Sequence, residues 1–139
     1  MYILKAEKAF DSAHFLSNYD GKCSNIHGHT WHVHAEVKSE TLIDSGNYKG
    51  MVVDFGDLKN DLKEIVDYFD HALIVEEGSM RKETLQNIIE DGFKVIIINF
   101  RSTAENFSKY FFEKLEGRGY SVKRVTVFET PTNSATYER

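Results

Sequence analysis

The chain has 139 residues, of which 22 are acidic and 17 basic, giving a net charge of −5 at neutral pH. This length is typical of one domain, residues 1–139, and the lack of any basic run or stripe argues against a nucleic-acid partner. No apolar run approaches the roughly 20 residues that cross a bilayer, so we expect no membrane segment. The first ten residues do not resemble a signal peptide and the single cysteine forms no internal disulfide, which favours the cytoplasm.

Two strands are predicted in the first third of the chain. Residues Tyr2–Ala13 form the first, and the polar stretch Phe15–Asn25 is a loop. Alternation over Thr30–Val37 predicts a second strand, with Trp31 on one face and His32 and His34 on the other. The turn residues of 39–50 predict a loop after it.

Two amphipathic helices are predicted further along. Apolar residues at helical spacing mark Asp57–Phe69 and Ala104–Glu116, and glycines follow the second helix. The region between them is less regular and fits a short helix followed by a strand. The remaining predicted segments are the helix Glu83–Glu90 and the strands Lys94–Phe100, Tyr120–Glu129 and Ala135–Tyr137.

This order predicts an α+β domain in which an antiparallel sheet is covered on one face by two helices. The other face of the sheet would then be open in a monomer. Because apolar and aromatic residues occur on both faces of the predicted strands, we expect the chain to form an oligomer.

The stretch KCSNIHGHTWHVHAEV holds the only cysteine, the only tryptophan and four of the six histidines. His27 and His29 point to the same side of a strand, and His14 lies at the end of a strand that can pair with it. Three imidazoles with an open fourth position are typical of catalytic zinc, although imidazole also suits copper, nickel or iron. A His-x-His pair is also common as a packing or surface feature. His32 and His34 form such a pair, which we interpret as structural or solvated.

Six segments, in this order, resemble the 6-pyruvoyltetrahydropterin synthase / 6-carboxytetrahydropterin synthase family: FDSAH, CSNIHGH, VVDFGDLK, FDHALI, STAEN and VFET. The resemblance implies the tunnelling fold, with a four-stranded antiparallel sheet and two helices on one face. It also implies that strands join into a trimeric barrel, that two trimers stack as a hexamer and that active sites lie between subunits. The spacing Cys-x3-His-Gly-His is most similar to the bacterial 6-carboxytetrahydropterin synthases of the queuosine route.

The resemblance also implies a role for individual residues. Zinc would be bound by His14, His27 and His29. Catalysis would use Cys23 as general base together with the pair Asp70 and His71. The pterin pocket would include Thr103, Glu105 and Glu129.

Simpler interpretations stay open for several of these residues. Cys23 can be a buried, inert thiol, and Asp70 and His71 can merely end a helix. The pattern Ser102–Glu105 also fits a capping box, with Ser102 as the N-cap and Glu105 at the third helical position. A charged Glu129 needs no partner if it is exposed.

The implied reaction converts 7,8-dihydroneopterin triphosphate to 6-carboxytetrahydropterin, acetaldehyde and triphosphate. The alternatives are 6-pyruvoyltetrahydropterin synthase activity, which eliminates triphosphate, and non-catalytic pterin binding. The stretch Glu76–Arg101 is longer than in compact family members and would reshape a rim of the pocket. The sequence does not choose the triphosphate ligands among five cations: Lys22, Lys49, Lys59, Arg101 and Arg124.

Overall fold

The computed structural model describes residues 1–139 as six strands and three helices. In chain order these are β1 (Tyr2–His14), β2 (His27–Ser39), α1 (Phe55–Asp67), β3 (Ala72–Glu76), α2 (Lys82–Glu90), β4 (Val95–Ile98), α3 (Ala104–Gly117), β5 (Val122–Thr130) and β6 (Asn133–Glu138). A short 3₁₀ turn, Lys22–Ser24, lies in the loop between β1 and β2. The predicted α+β class is confirmed. None of the helices combines the length and the hydropathy that crossing a bilayer requires.

The strands form one mixed sheet in the order β4-β3-β1-β2-β5-β6. Strands β1, β2, β5 and β6 pair in antiparallel fashion, whereas β3 runs parallel to β1 and β4 parallel to β3. The prediction of a four-stranded antiparallel sheet was therefore wrong in strand number and in direction. The first four residues of the run Ala72–Glu76 are apolar and do not alternate with polar residues, as is common in parallel strands that are buried on both faces. Hydrophobic periodicity therefore gives no signal that this run is a strand.

The core lies between one face of the sheet and the helices α1 and α3. Phe10 of β1 stands opposite Trp31 of β2, and both side chains are almost completely buried. Helix α1 contributes the predicted apolar stripe that includes Leu58 and Leu62, and α3 contributes Phe107 and neighbouring aromatic rings. The two predicted amphipathic helices thus cover the core, while the short helix predicted at Glu83–Glu90 is present as α2 and buries no residue.

The face of β1 and β2 that points away from α1 and α3 is mostly exposed. It carries the alternate residues of β1 and β2, which are mostly charged or polar, together with a few apolar side chains such as Ile3. His32 and His34 lie on this face, as their position in the alternation predicted. His34 is within 3.6 Å of Glu7 and packs against the ring of Phe128.

Candidate metal centre and catalytic residues

The pairing of β1 with β2 brings three histidines together at one end of the sheet. His14 stands opposite His27, and Ser12 stands opposite His29, so all three imidazoles share the face that carries Trp31. Their ring centroids lie 4.6 to 5.2 Å apart. His14 and His29 also contact the ring of Trp31, which forms the floor of this cluster.

Hydrogen bonds fix the orientation of two of these rings. Nδ1 of His14 lies 2.9 Å from both the carbonyl oxygen and the hydroxyl of Ser102, and Nδ1 of His27 lies 2.7 Å from the carbonyl oxygen of Asn25. A carbonyl can only accept, so Nδ1 carries the proton and Nε2 keeps its lone pair. Metal-binding histidines are held in this way.

The Nε2 atoms of His14, His27 and His29 are buried and converge, and the one group close to them is the carboxylate of Glu129, 2.9 Å from Nε2 of His29. Buried polar atoms are normally paired, and the convergence of three imidazole nitrogens and one carboxylate oxygen on one point fits a shared ligand. Neutral imidazoles whose lone pairs converge suit a divalent transition metal ion such as zinc. The donor set therefore fits the ion that the sequence predicted.

Glu129, at the end of β5, completes the cluster. Its Oε1 atom lies 2.9 Å from Nε2 of His29 and 3.5 Å from Nε2 of His14, and the ligand atoms of these residues and His27 all lie within 4.8 Å of one another. The side chain of His14 is the main reason why the pKa of Glu129 lies below its ordinary value. Burial is the main reason why the pKa of His29 is lowered, which favours the neutral imidazole that a metal ion requires.

Asp70 and His71 form a second cluster in the turn between α1 and β3. Nδ1 of His71 lies 2.8 Å from Oδ2 of Asp70, and the backbone amide of Asp11 donates to Oδ1 of Asp70 at 2.9 Å. That amide is the largest cause of the lowered pKa of Asp70. His71 has a positive φ of 55°, an uncommon conformation for a residue with a side chain, and its imidazole is 79% exposed. The ionised carboxylate holds the Nδ1 proton of His71 and leaves Nε2 free to exchange a proton.

An open cleft of about 430 Å³ beside the Asp–His pair is lined by Asp11, Thr30 and His71 among others. By strand parity, Asp11 and Thr30 point to the face of the sheet away from the three imidazoles. Ala72 pairs with Ser12, and Ser12 pairs with His29, so the strands that carry the two clusters are two strand spacings, about 10 Å, apart. The side chains of His71 and Asp70 lie beside Asp11, on the face opposite the three imidazoles. The structure therefore brings together the three predicted metal ligands and the predicted Asp–His pair, but as two separate groups.

Cys23 belongs to neither cluster. It lies in the 3₁₀ turn of the loop after β1, is half-buried, and is not part of the core. Its backbone carbonyl accepts a hydrogen bond of 2.9 Å from the amide of Leu16, which ties the turn to the chain just beyond His14. The thiol thus lies on a loop near the end of β1, outside the hydrophobic core.

The start of α3 differs from the predicted capping box. Thr103, not Ser102, is the N-cap, and its hydroxyl accepts from the amide of Asn106 at 3.3 Å. Ser102 is instead buried against His14, while Glu105 is exposed in the first turn of α3. Both hydroxyl residues suit an N-cap, and only the tertiary contact with a histidine 88 positions earlier shows which of them is used. Ser102 is a site residue that the sequence did not reveal as such.

Two of the five predicted triphosphate cations have partners within the chain. Arg124 lies 2.8 Å from a carboxylate oxygen of Glu36, and Arg101 donates to the carbonyl of Ser17 and packs over the ring of Tyr19. Lys22, which precedes Cys23, makes no ion pair.

Known proteins with similar sequences cover nearly the whole chain. A 6-carboxy-5,6,7,8-tetrahydropterin synthase of Haemophilus influenzae is 35% identical over 141 aligned residues, which cover 99% of each chain. A protein of the same name from Synechocystis is 30% identical over 99% of this chain and 93% of its own length.

Solved structures show the same fold. The 6-pyruvoyl tetrahydropterin synthase of Plasmodium falciparum superposes with a TM-score of 0.73 at 20% identity, over 99% of this chain and 97% of that chain. The sequence profile described as 6-pyruvoyl tetrahydropterin synthase matches residues 3–139. The chain therefore belongs to the 6-pyruvoyl tetrahydropterin synthase family, as its motifs predicted.

Proposed function

We propose that this protein is a zinc-dependent 6-carboxy-5,6,7,8-tetrahydropterin synthase of 7-deazaguanine (queuosine) biosynthesis. It would convert 7,8-dihydroneopterin triphosphate to 6-carboxytetrahydropterin, acetaldehyde and triphosphate, with uptake of one water for the atoms to balance. The convergence of three buried Nε2 atoms beside the carboxylate of Glu129 carries this proposal. The names of the Haemophilus and Synechocystis relatives support the choice of reaction.

His14, His27 and His29 would hold the zinc ion. When bound, zinc supplies a Lewis acid that polarises oxygen atoms of the substrate side chain. The tautomers set by Ser102 and Asn25 point the lone pairs of His14 and His27 inward before any ion arrives, so the histidines need little reorganisation to bind it.

Cys23 and His71 would move the protons. The thiolate of Cys23 removes a proton from the substrate side chain, and Nε2 of His71 donates one to the carbon or oxygen that develops negative charge. Asp70 fixes the tautomer of His71 through its 2.8 Å contact with Nδ1 and stabilises the imidazolium.

Glu129 would recognise the pterin ring. A carboxylate accepts two parallel hydrogen bonds from the amino group and the ring N–H that a pterin presents side by side. The lowered pKa of Glu129 keeps it ionised for this contact. Thr103 and Glu105, at the start of α3, would line the same pocket. Lys22 is a candidate for the triphosphate, because it makes no ion pair and precedes Cys23.

We also propose that this single domain assembles into trimers and hexamers with active sites between subunits. Within one chain the Asp70–His71 pair lies beside Asp11, on the face of the sheet away from the three imidazoles, and the sheet ends in two unpaired edges, β4 and β6. Light scattering coupled to gel filtration tests this, and a monomer that turns over substrate would contradict it. The unpaired Cys23 favours the cytoplasm as the location.

Product analysis tests the reaction. The purified protein is incubated with 7,8-dihydroneopterin triphosphate, and acetaldehyde and triphosphate are measured together. We expect equal amounts of both, and none from protein stripped with a chelator. Triphosphate without acetaldehyde would instead show 6-pyruvoyltetrahydropterin synthase activity, the name carried by the structural relative from Plasmodium falciparum. Binding without either product would reveal a pterin-binding protein and overturn the proposal.

A further inference from the structure

The turn between α1 and β3 contains Asp70 and His71, and a lysine from a distant segment holds this turn in place. Nζ of Lys94 donates to the carbonyl oxygen of Asp67 at 3.2 Å and to that of Asp70 at 2.8 Å. Asp67 is the last residue of α1, which has no basic residue in its own last turn. Terminal carbonyls of a helix lack intrahelical partners and attract a cation, and Lys94 supplies one from elsewhere in the chain.

The backbone of Lys94 also forms a hydrogen bond with this region of the chain. Its carbonyl oxygen accepts a hydrogen bond of 2.9 Å from the amide of Leu73, and the next residue, Val95, pairs with Leu73 in the parallel ladder of β3 and β4. Lys94 therefore bridges the turn on both sides of His71. The ammonium group forms no salt bridge with a carboxylate, so its hydrogen bonds go to these two carbonyls.

His71 needs such support because its backbone is in the left-handed region. A histidine keeps that conformation only when its surroundings hold it there. The amide of His71 donates to the carbonyl of Asp11 at 2.6 Å, which fixes one side of the turn. Lys94 fixes the other side.

We propose that Lys94 is a positioning residue that holds the Asp70–His71 pair in its reactive geometry. This inference rests on the proposed function, because it assumes that His71 transfers a proton. It also gives the segment 76–101 a role: β4 places Lys94 against the turn, so the segment supports the Asp–His pair in addition to any effect on the pocket rim.

Three variants test the proposal in the full-length, metal-loaded protein. Lys94→Met removes the ammonium and keeps the chain length, Lys94→Arg keeps a donor, and Lys82→Met removes one charge from an exposed position of α2 that makes no ion pair. We expect kcat to fall about tenfold in Lys94→Met, with KM and zinc content unchanged, because small displacements of a catalytic group cost rate and not binding. Lys94→Arg should recover kcat to within about threefold of the original value, and Lys82→Met should not change it.

A spectroscopic readout separates failure of this inference from failure of the proposed function. In protein labelled with ¹⁵N-histidine, the imidazole signals of His71 are assigned with His71→Asn. Lys94→Met should shift or broaden these signals and leave those of His32 in place, whether or not the protein turns over substrate. Unmoved His71 signals, or equal kcat values in Lys94→Met and Lys82→Met, would overturn the role of Lys94. A lack of turnover in the unmodified protein, with shifted His71 signals in Lys94→Met, would overturn the proposed reaction alone.

Discussion

His14 and Ser102 are 88 positions apart in the chain, yet both oxygen atoms of the serine lie 2.9 Å from Nδ1 of the histidine. The serine just before α3 thereby orients His14, the metal-ligand candidate at the end of β1. Removal of a partner that orients a metal-binding histidine typically weakens metal binding 10- to 100-fold. In Ser102→Ala the backbone carbonyl still accepts, so we expect a loss of about tenfold in zinc affinity, measured by competition with a chelator.

Ser108→Ala is the matched control. Ser108 is equally buried and lies within α3, and its hydroxyl donates to the carbonyl of Glu105, away from the histidines. Its zinc affinity should equal that of the unmodified protein. Equal affinities in both variants would show that the carbonyl of Ser102 suffices to orient His14.

The two His-x-His pairs of β2 provide a sharp test of the metal site. His27→Ala removes one of three converging ligands, so bound zinc should fall from about one ion per chain to nearly none. His32→Ala removes an imidazole from the opposite face of the same strand and should keep the full zinc content. Elemental analysis after gel filtration measures both. Zinc retained in His27→Ala, or lost in His32→Ala, would contradict the assignment.

Strand periodicity accounts for the parts of the site that the sequence predicted. Alternation along β2 placed His32 and His34 on the face away from Trp31, and the structure confirms this. The proximity of His14 to His27 and His29 was predicted from the expectation that consecutive strands are neighbours, although the predicted strands ended at Ala13 and began at Thr30 and did not include these histidines. The local sequence pattern predicts which face a side chain occupies because side chains of a strand alternate between its two faces.

Contacts between distant segments account for what the sequence did not show. The run Ala72–Glu76 has no alternation of apolar and polar residues, so the sequence pattern did not identify it as a strand. Ser102 and Thr103 are equally good N-caps, and the choice between them depends on His14. The two hydrogen bonds of Lys94 to the turn before β3 depend on parallel pairing of β4, which leaves no local signal.

Cys23→Ala should abolish turnover while pterin binding and zinc content persist. The reason is that a base is needed only for proton removal, whereas binding uses other groups. Isothermal titration with a pterin and the acetaldehyde assay measure the two properties separately. Ser24→Ala, in the same 3₁₀ turn, is the control for local disturbance and should keep its activity. Substantial turnover by Cys23→Ala would exclude the thiol as the base.

Glu129→Gln tests whether this carboxylate recognises the pterin. The amide retains one acceptor oxygen but replaces the other with a donor, which opposes the donors of the ring. We expect kcat/KM to fall by at least about 100-fold, because an unpaired buried group is costly. Zinc content should stay unchanged if the three histidines suffice. Loss of zinc would identify Glu129 as a fourth ligand, consistent with its 2.9 Å distance from His29.

The metal-free protein should lose stability as the pH falls below about 6.5. Burial holds the pKa of His29 below its ordinary value of 6.5, so below that pH the unfolded chain binds more protons than the folded one. The free energy of unfolding then decreases with falling pH, by at most about 1.4 kcal/mol per pH unit for one such group. The lowered pKa of Glu129 acts in the same direction at lower pH, below its ordinary value of 4.5.

Urea titrations at pH 7.5, 6.5 and 5.5 measure this dependence. His29→Asn should reduce the slope between pH 6.5 and 5.5 because asparagine does not titrate, and the remaining slope includes His34, whose pKa burial also lowers. An unchanged slope in that variant would assign the pH dependence to other groups.

The continuous pairing of β1 with β2, from Tyr2 opposite Ser39 to His14 opposite His27, has a consequence for how the protein acquires its ion. A slip of one residue would turn Trp31 outward and bring Gly28 and Thr30 in place of the imidazoles. Burial of the indole therefore selects the same alignment that gathers the chelating atoms. The three histidines would then be in position as soon as β1 and β2 pack against the helices. Metal binding would follow folding and would not be required for it.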